Sequence, residues 1–353
     1  MSRFFSDKYS SLTPYTPGEQ PKERKYIKLN TNESPYPPSP LAVKMAKDES
    51  ERLNLYSDPE VRDLVAEAAD VLGVKPDEIL FTNGSDEILN FAFMAFCDEK
   101  NPAVFPDITY GFYKVFAELN GVPYTEIPLN DDYTVNVNDY IGVGKNIFLA
   151  NPNAQTGIAL PLSDIEAIVA SNPDNIVVID EAYVDFGGES AIELTKKYDN
   201  LLVTQTFSKS RSLAGARLGF GVGCAALMRD LNTVKYSTNP YNVNRMTMAA
   251  GIGALKDTDY FEHNCAAIKE TRAWTTEELE KIGFSVLPSS SNFVFAKNKS
   301  ADGAEIYKKL KENGILVRHF DGDRTSDYNR ITIGAPDEMR ALIAKLTEIL
   351  EEI

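Results

Sequence analysis

Short apolar runs alternate with helical patterns through the first two thirds of the chain, and this alternation constrains the fold more than any other feature. Seven runs predict strands: ILFTN at 79–83, AVFPD at 103–107, YTEIPL at 124–129, NIFLAN at 146–151, NIVVIDEA at 175–182, LLVTQTFS at 201–208 and RLGFGVG at 217–223. Several are apolar almost throughout, as strands are when a parallel sheet is covered on both faces. Helical patterns lie between them, for example at 85–96 and 162–172. We therefore expect an α/β domain with a mostly parallel, seven-stranded sheet and helices on both faces.

The last hundred residues have a different pattern. A long helical stretch from about 257 to 282 is followed by short apolar runs, a helical segment AEIYKKLKENG and a closing helix, DEMRALIAKLTEILEEI. This predicts a smaller α+β domain at the C-terminus. We divide the chain into a proline-rich N-terminal arm at 1–30, a large domain at 31–250 and a small domain at 251–353.

Composition excludes several kinds of partner. A formal net charge of −16 repels a phosphate backbone, so we expect no nucleic-acid partner. The longest apolar run, FAFMAFC at 91–97, is too short to cross a bilayer, and the N-terminus has no apolar signal segment. Three widely spaced cysteines suit free thiols in a reducing compartment. We therefore expect a cytoplasmic protein without a membrane partner.

The histidine content limits the chemistry. The chain holds only His263 and His319, too few for a histidine-rich zinc site, and neither lies in a recognisable nucleophile motif. We predict that the protein uses no metal and that its catalytic base is not a histidine.

Polar side chains stand where the predicted strands stop. They are Gly84, Ser85 and Asp86 at a helix start, Tyr110, Asp180 with Tyr183, then Thr206, Ser208, Lys209 and Arg217. Taken alone, 84–86 could be an ordinary helix cap and Lys209 a surface lysine. Together, however, they would place an anion site, a buried carboxylate, an aromatic plate, a phenol and an amine at one edge of the sheet.

One ligand, pyridoxal phosphate, has a group for each of these features. In this interpretation Asp180 keeps the ring nitrogen protonated, so that the ring withdraws electrons from the substrate. Lys209 forms a Schiff base with the aldehyde and then moves a proton at the substrate carbon. Lys209, Asp180 and Tyr110 are the predicted catalytic residues.

The same segments resemble a known family. The order of NPNAQTG at 151–157, IDEAY at 179–183, TFSK at 206–209 and LAGARLG at 213–219 resembles the fold-type-I pyridoxal phosphate enzymes related to aspartate aminotransferase. A second set resembles the histidinol-phosphate aminotransferases within them: KLNTNESPYPPSP at 28–40, LYSDPE at 55–60, FTNGSDEIL at 81–89, SSNFVFA at 290–296 and NRITIGAPDEM at 329–339. The likeness runs nearly from end to end.

The resemblance implies roles for single residues. The expected phosphate ligands are Ser85 and Asp86 behind Gly84, with Thr206, Ser208 and Arg217. Tyr110 is expected to stack on the ring and Tyr183 to contact its oxygen. Arg330 and Arg318 are expected to bind the substrate's anionic group, and Tyr15 to close over it. Tyr56 is expected to reach the neighbouring subunit's site, which implies a homodimer, although core packing is an equal alternative for this side chain.

One loop departs from the family pattern. The family has an asparagine directly before Pro-Thr-Gly, where it contacts the ring oxygen, whereas this chain has Ala154 followed by Gln155. We expect Asn153 to take over the contact.

These observations predict an aminotransferase that moves the amino group of L-histidinol phosphate to 2-oxoglutarate in histidine biosynthesis. Two alternatives on the same scaffold stay open, a threonine-phosphate decarboxylase and an aromatic amino acid aminotransferase. A more remote one is a cofactor-binding module without turnover, which the intact Lys209 disfavours.

Overall fold

The computed structural model describes residues 2–10 and 12–352. Its strands are β1 Ile27–Lys28, β2 Ile79–Thr82, β3 Ala103–Pro106, β4 Tyr124–Ile127, β5 Asn146–Ala150, β6 Val177–Asp180, β7 Leu201–Thr206, β8 Gly219–Val222, β9 Phe284–Val286, β10 Phe293–Asn298, β11 Ile315–Leu316, β12 Arg318–His319 and β13 Asn329–Thr332. Its α-helices are α1 Pro40–Ser50, α2 Arg62–Leu72, α3 Ser85–Phe96, α4 Phe112–Asn120, α5 Leu162–Ser171, α6 Ala225–Thr238, α7 Arg245–Lys256, α8 Thr258–Lys281, α9 Gly303–Glu312 and α10 Pro336–Glu352.

All seven predicted strands pair into one sheet in the order β2-β8-β7-β6-β5-β3-β4. The pairs from β7 to β4 are parallel, whereas β8 is antiparallel to both β7 and β2. Since β8 reverses direction against both neighbours, β2 runs parallel to β7. The mostly parallel, seven-stranded sheet predicted from the sequence is therefore confirmed.

Helices cover both faces of this sheet. Successive side chains of a strand point to opposite faces, so Phe148 and Val178 enter one core while Ile147 and Val177 enter the other. Helices α3, α4 and α6 contribute to the first core, and α1, α2, α5 and α7 to the second. Burial on both faces explains why these strands are apolar throughout and do not alternate with polar residues.

The strand directions bring several chain segments to one edge. The carboxyl ends of β2, β3, β5, β6 and β7 lie at the same edge of the sheet, and β8 begins there. In sheets of this kind, ligands bind outside the carboxyl ends of the strands. The polar residues that follow these strands in the sequence are therefore brought together by the topology.

A separate antiparallel sheet is formed by the C-terminal residues. Its order is β12-β13-β10-β9, and its core side chains pack with those of α8, α9 and α10. This confirms the predicted α+β character of the C-terminal part. Strand β1 pairs in parallel with β11, which ties the N-terminal segment to this layer. The division of the chain at 30/31 and 250/251 stays a prediction.

The three cysteines are unpaired, as predicted, and Cys97 and Cys265 are buried. Across residues 2–10 and 12–352, the structure contains no helix with the length and apolar character that a membrane span needs. The cytoplasmic location stays a prediction.

Candidate active site

A cavity of about 380 Å³ lies at the sheet edge where the strands end. Its volume is within the range of small-molecule sites. Nine residues that the sequence singled out line it together: Ser85, Asp86, Tyr110, Asp180, Tyr183, Thr206, Ser208, Lys209 and Arg217. The structure therefore brings together residues that are spread over more than 130 positions of the chain.

One wall of the cavity is the start of α3. Gly84 caps this helix with φ of 81°, a conformation that glycine adopts without strain. Gly219 allows β8 to pass close beneath, because a Cβ at that position would lie 2.3 Å from the backbone nitrogen of Ser85. Ser85 and Asp86 line the cavity at this helix start, and the free N–H groups of a helix start can bind an anion such as a phosphate.

The Asp86 side chain holds the guanidinium of Arg217 at this wall. Its carboxylate accepts hydrogen bonds from the Arg217 guanidinium at 2.9 Å and from the Tyr110 hydroxyl at 2.5 Å. Arg217 also donates to the Ser208 hydroxyl at 3.4 Å, and the Thr206 hydroxyl donates to the same oxygen at 3.0 Å. A carboxylate repels phosphate, so Asp86 can serve an anion only through its backbone N–H and by holding Arg217 and Tyr110 in place.

Asp180 ends β6 as a buried carboxylate, 4% exposed. It accepts hydrogen bonds from the hydroxyls of Tyr113 at 3.0 Å and Thr204 at 3.4 Å. Within the described residues it forms no ion pair. Burial raises the pKa of Asp180 to about 6, although the Tyr113 hydrogen bond opposes the shift. A buried carboxylate at a cavity wall without a cation is a site for a cationic group of a ligand.

Lys209 follows β7 and is half-buried at the cavity. Its Nζ donates to the backbone carbonyl of Thr31 at 3.1 Å. Removal from water lowers the pKa of Lys209 to about 8, and the positive charge of Arg330 acts in the same direction. An amine with a lowered pKa has a larger neutral, nucleophilic fraction near neutral pH.

Tyr183 lies beside this amine, with Lys209 Nζ 5.8 Å from its ring centroid. The ring packs edge-on against Phe293, and the hydroxyl accepts a hydrogen bond from the Asn32 side chain at 2.9 Å. Burial raises the pKa of Tyr183, so the phenol is protonated at neutral pH and can donate a hydrogen bond.

The structure does not support the expected contact of Asn153 with a ring oxygen. Its side-chain amide donates to the carbonyl of Ile108 at 2.9 Å, and its oxygen accepts from the backbone N–H groups of Gln155 and Thr156. The NH₂ group and the oxygen of this amide are therefore both hydrogen-bonded to the protein backbone. The cavity wall at this point is the methyl group of Ala154.

The predicted substrate arginines lie across one strand pair, since Arg318 in β12 is opposite Arg330 in β13. Arg330 donates to the carbonyl of Ala154 at 2.8 Å, and its buried Nε has no partner within the described residues. Arg318 donates to the carbonyls of Thr16 and Pro17 in the N-terminal arm. Arg330 therefore has free donors beside the cavity, whereas the guanidinium of Arg318 is engaged by the arm.

The two predicted peripheral tyrosines lie outside the cavity lining. Tyr15 packs on Phe112 with 4.3 Å between ring centroids and the rings tilted by 32°, and it lies against Gly111, next to Tyr110. Tyr56 is 80% exposed and stacks on Tyr241 at 4.7 Å. Core packing, the alternative for Tyr56, is wrong within a single chain because the side chain is almost fully exposed.

Three residues of the site were given no role from the sequence. Tyr113 holds Asp180, Asn32 holds Tyr183, and Thr31 receives the Lys209 hydrogen bond. The segment KLNTNESPYPPSP contains the last two, but nothing in it indicates which side chains point inward. In the sequence, Tyr113 cannot be distinguished from the other apolar residues of its helix.

Comparison with known proteins agrees with this geometry. Residues 24–346 match the family described as aminotransferase class I and II. A histidinol-phosphate aminotransferase of Brachyspira hyodysenteriae is 51% identical over 99% of this chain and 100% of its own length. A histidinol-phosphate aminotransferase 2 of Dechloromonas aromatica is 48% identical over 99% of each chain. The crystal structure of histidinol-phosphate aminotransferase from Sinorhizobium meliloti in complex with pyridoxal-5'-phosphate superimposes with a TM-score of 0.91 at 24% identity, covering 100% of this chain and 99% of that one.

Proposed function

The chain belongs to the class I and II aminotransferase family, among its histidinol-phosphate aminotransferases, and from this we propose that it transfers the amino group of L-histidinol phosphate to 2-oxoglutarate. The products are imidazole acetol phosphate and L-glutamate. The observation that carries the proposal is one cavity holding an amine, a buried carboxylate without a cation, and a helix start with an arginine.

The cavity residues fit pyridoxal phosphate. The uncompensated charge of Asp180 suits a protonated ring nitrogen, and the start of α3 with Arg217 suits a phosphate. When bound, this cofactor supplies an aldehyde that condenses with amines and a cationic ring that withdraws electrons from the substrate carbon. Asp180, which Tyr113 holds in place, would accept a hydrogen bond from the ring nitrogen.

Lys209 is the proton-transfer group of the site. Its pKa of about 8 is close to neutral pH, so the amine can take a proton from the amino-bearing carbon and return it at moderate cost. The Thr31 carbonyl orients Nζ. The alternative of a cofactor-binding module without turnover is disfavoured by this placement of the amine.

The substrate assignment is tested by offering several donors in parallel. Purified protein with 2-oxoglutarate is given histidinol phosphate, an aromatic amino acid or threonine phosphate, and both glutamate and carbon dioxide are measured. We expect the highest kcat/KM for glutamate formation with histidinol phosphate. Carbon dioxide release without glutamate would overturn the assignment in favour of a threonine-phosphate decarboxylase, and a preference for aromatic donors would replace the substrate only.

Arg330 is proposed to bind the anionic group of both substrates, the phosphate of the donor and a carboxylate of 2-oxoglutarate. A planar guanidinium binds either anion through two parallel hydrogen bonds, and Arg330 has no acidic partner among the described residues to compete. We expect Arg330→Gln to lower kcat/KM for each substrate about 100-fold, and Arg330→Lys to restore only part of it.

Arg340→Gln is the matched control, since Arg340 is an exposed residue of α10. Steady-state kinetics with each substrate varied separately gives the comparison. Unchanged kinetics in Arg330→Gln would exclude the proposed anion contact.

Tyr56 is proposed to contact the cofactor phosphate in the site of a second copy of the chain. Its exposure and the neighbouring exposed Leu53 and Leu55 support an interface at this surface, because apolar side chains clustered on a surface mark interaction sites. We expect a homodimer in solution and about tenfold weaker cofactor binding by Tyr56→Phe.

Mixed dimers separate the two possible arrangements. A dimer of one Lys209→Ala chain and one Tyr56→Phe chain contains one fully native site only if Tyr56 serves the partner. We expect this dimer to bind the cofactor with native affinity in its lysine-bearing site. Affinity at the weakened Tyr56→Phe level in that site would show that Tyr56 acts within its own chain, and native affinity of the Tyr56→Phe homodimer would show that it does not contact the cofactor.

A further inference from the structure

Ala154 leaves the cavity without the loop asparagine expected at its wall, and the structure offers a different amide nearby. Building on the proposed function, we propose that Asn32 is a positioning residue that fixes the Tyr183 hydroxyl so that its proton points to the ring oxygen of the cofactor. The amide acts through the phenol and does not itself contact the ligand.

The hydrogen bond between the two side chains sets the direction of the phenol proton. Asn32 Nδ2 donates to the Tyr183 oxygen at 2.9 Å, so the oxygen is an acceptor in this contact. Within the described residues the hydroxyl has no acceptor for its own proton. Because Tyr183 lines the cavity, that proton is available to a ligand atom. Accepting one hydrogen bond also makes a hydroxyl a stronger donor in the next.

The orientation of the Asn32 amide is fixed by the antiparallel sheet. The Thr332 hydroxyl donates to Asn32 Oδ1 at 3.0 Å and accepts from the Asn32 backbone N–H at 3.0 Å. Asn292 donates to the Asn32 carbonyl at 3.0 Å. With Oδ1 held by Thr332, the NH₂ end of the amide must face Tyr183.

The backbone at this position also selects asparagine. Asn32 has φ of 55°, in the left-handed region that glycine and asparagine tolerate better than other residues, and it is 1% exposed. Glycine would satisfy the backbone but would leave Tyr183 without a donor. Aspartate would keep the shape but present an acceptor to the phenol. Of these three residues, only asparagine both suits the conformation and supplies the donor.

This arrangement explains how the site manages without Asn153. That amide is used by the loop, and Ala154 carries no polar group. We therefore assign the hydrogen bond to the ring oxygen to Tyr183, whose hydroxyl proton has no acceptor among the described residues. Its orientation consequently depends on Asn32, in a segment 151 positions away.

The test is a double-mutant comparison of Asn32→Gly and Tyr183→Phe, read in the absorbance spectrum of the bound cofactor against pH. Without the hydrogen bond from Tyr183, the negatively charged ring oxygen is less stable and binds its proton more tightly. The pKa of the spectral transition therefore rises. We expect an increase of about one pH unit in each single variant and no further increase in the double variant. Equal shifts that add in the double variant, or no shift in Asn32→Gly, would overturn the proposal.

Asn30→Ala is the matched control. Asn30 is equally buried in the same segment, but its side chain donates to the carbonyl of Glu19 and not to Tyr183. We expect it to lower the thermal midpoint without moving the spectral pKa, whereas a merely structural Asn32 would behave like this control. The readout needs only bound cofactor, so its failure would leave the proposed substrate untouched, and a different preferred substrate would leave Asn32 in its role.

Discussion

Replacing Lys209 by alanine is expected to reduce transamination at least about 10⁴-fold, because the same amine attaches the cofactor and moves the proton at the substrate carbon. The fold should survive. Among the described residues the amine makes one hydrogen bond, to the Thr31 carbonyl, and its surroundings disfavour its charged form, so the variant is expected to melt at an equal or higher temperature. Steady-state rates and thermal unfolding of the same preparations measure both effects.

Lys235→Ala is the control for loss of a buried lysine. Lys235 is 1% exposed in α6, is not among the residues that line the cavity, and donates to the carbonyl of Pro59. Burial also lowers the pKa of Lys235, so the two lysines are matched in this respect, and we expect this variant to keep the turnover that Lys209→Ala loses. Ordinary turnover by Lys209→Ala would remove the assigned role.

Replacing Asp180 by asparagine is expected to have opposite effects on function and stability. Without a carboxylate, the ring nitrogen loses the group that keeps it protonated, and we expect kcat to fall roughly 10³-fold with weaker cofactor binding. Without added cofactor, the variant should be more stable than the native protein at pH 7. Because the pKa of Asp180 is raised from 3.8 to about 6, the gain is about 3 kcal/mol.

The direction of this stability change follows from the direction of the pKa shift of Asp180. A carboxyl group whose pKa is higher in the folded state destabilises the fold above that pKa, where it is charged in both states. The penalty is therefore complete above pH 6 and disappears as the pH falls below 3.8. Denaturant unfolding between pH 4 and 8 should show the two proteins diverging as pH rises. A constant difference across this range would contradict the expected burial of an unpaired charge.

Glu181→Gln tests whether any buried carboxylate behaves in this way. Glu181 is 2% exposed, burial raises its pKa to about 7, and its partners Ser190, Ala191 and Gln205 lie away from the cavity lining. We expect this variant to keep the activity that Asp180→Asn loses.

The sequence was sufficient to predict those parts of the fold in which several consecutive residues are buried. The runs around Ile147 and Val177 are apolar at every position because both faces of the sheet are covered, and this pattern is readable without a structure. Once the strands are parallel, their carboxyl ends share an edge, so Asp180 and Lys209 were expected at the same edge of the sheet. It was therefore predictable that the residues at the strand ends would form one site.

Contacts made by side chains from distant segments were not predictable in this way. Tyr113 reaches Asp180 across 67 positions, and Asn32 reaches Tyr183 across 151, each through a single hydroxyl or amide. The loop at Asn153 shows the same limit. An asparagine in a tight loop can bond its own backbone or a ligand, and here the backbone N–H groups of Gln155 and Thr156 take its oxygen.

The most direct test of the account is to identify the residue that carries the cofactor. Purified protein is loaded with pyridoxal phosphate, reduced with borohydride and digested, and the peptides are analysed by mass spectrometry. We expect a pyridoxyl group on Lys209 in native protein and in Lys235→Ala, and none at position 209 in Lys209→Ala. A pyridoxyl group on another lysine, or protein that takes up no cofactor, would contradict it.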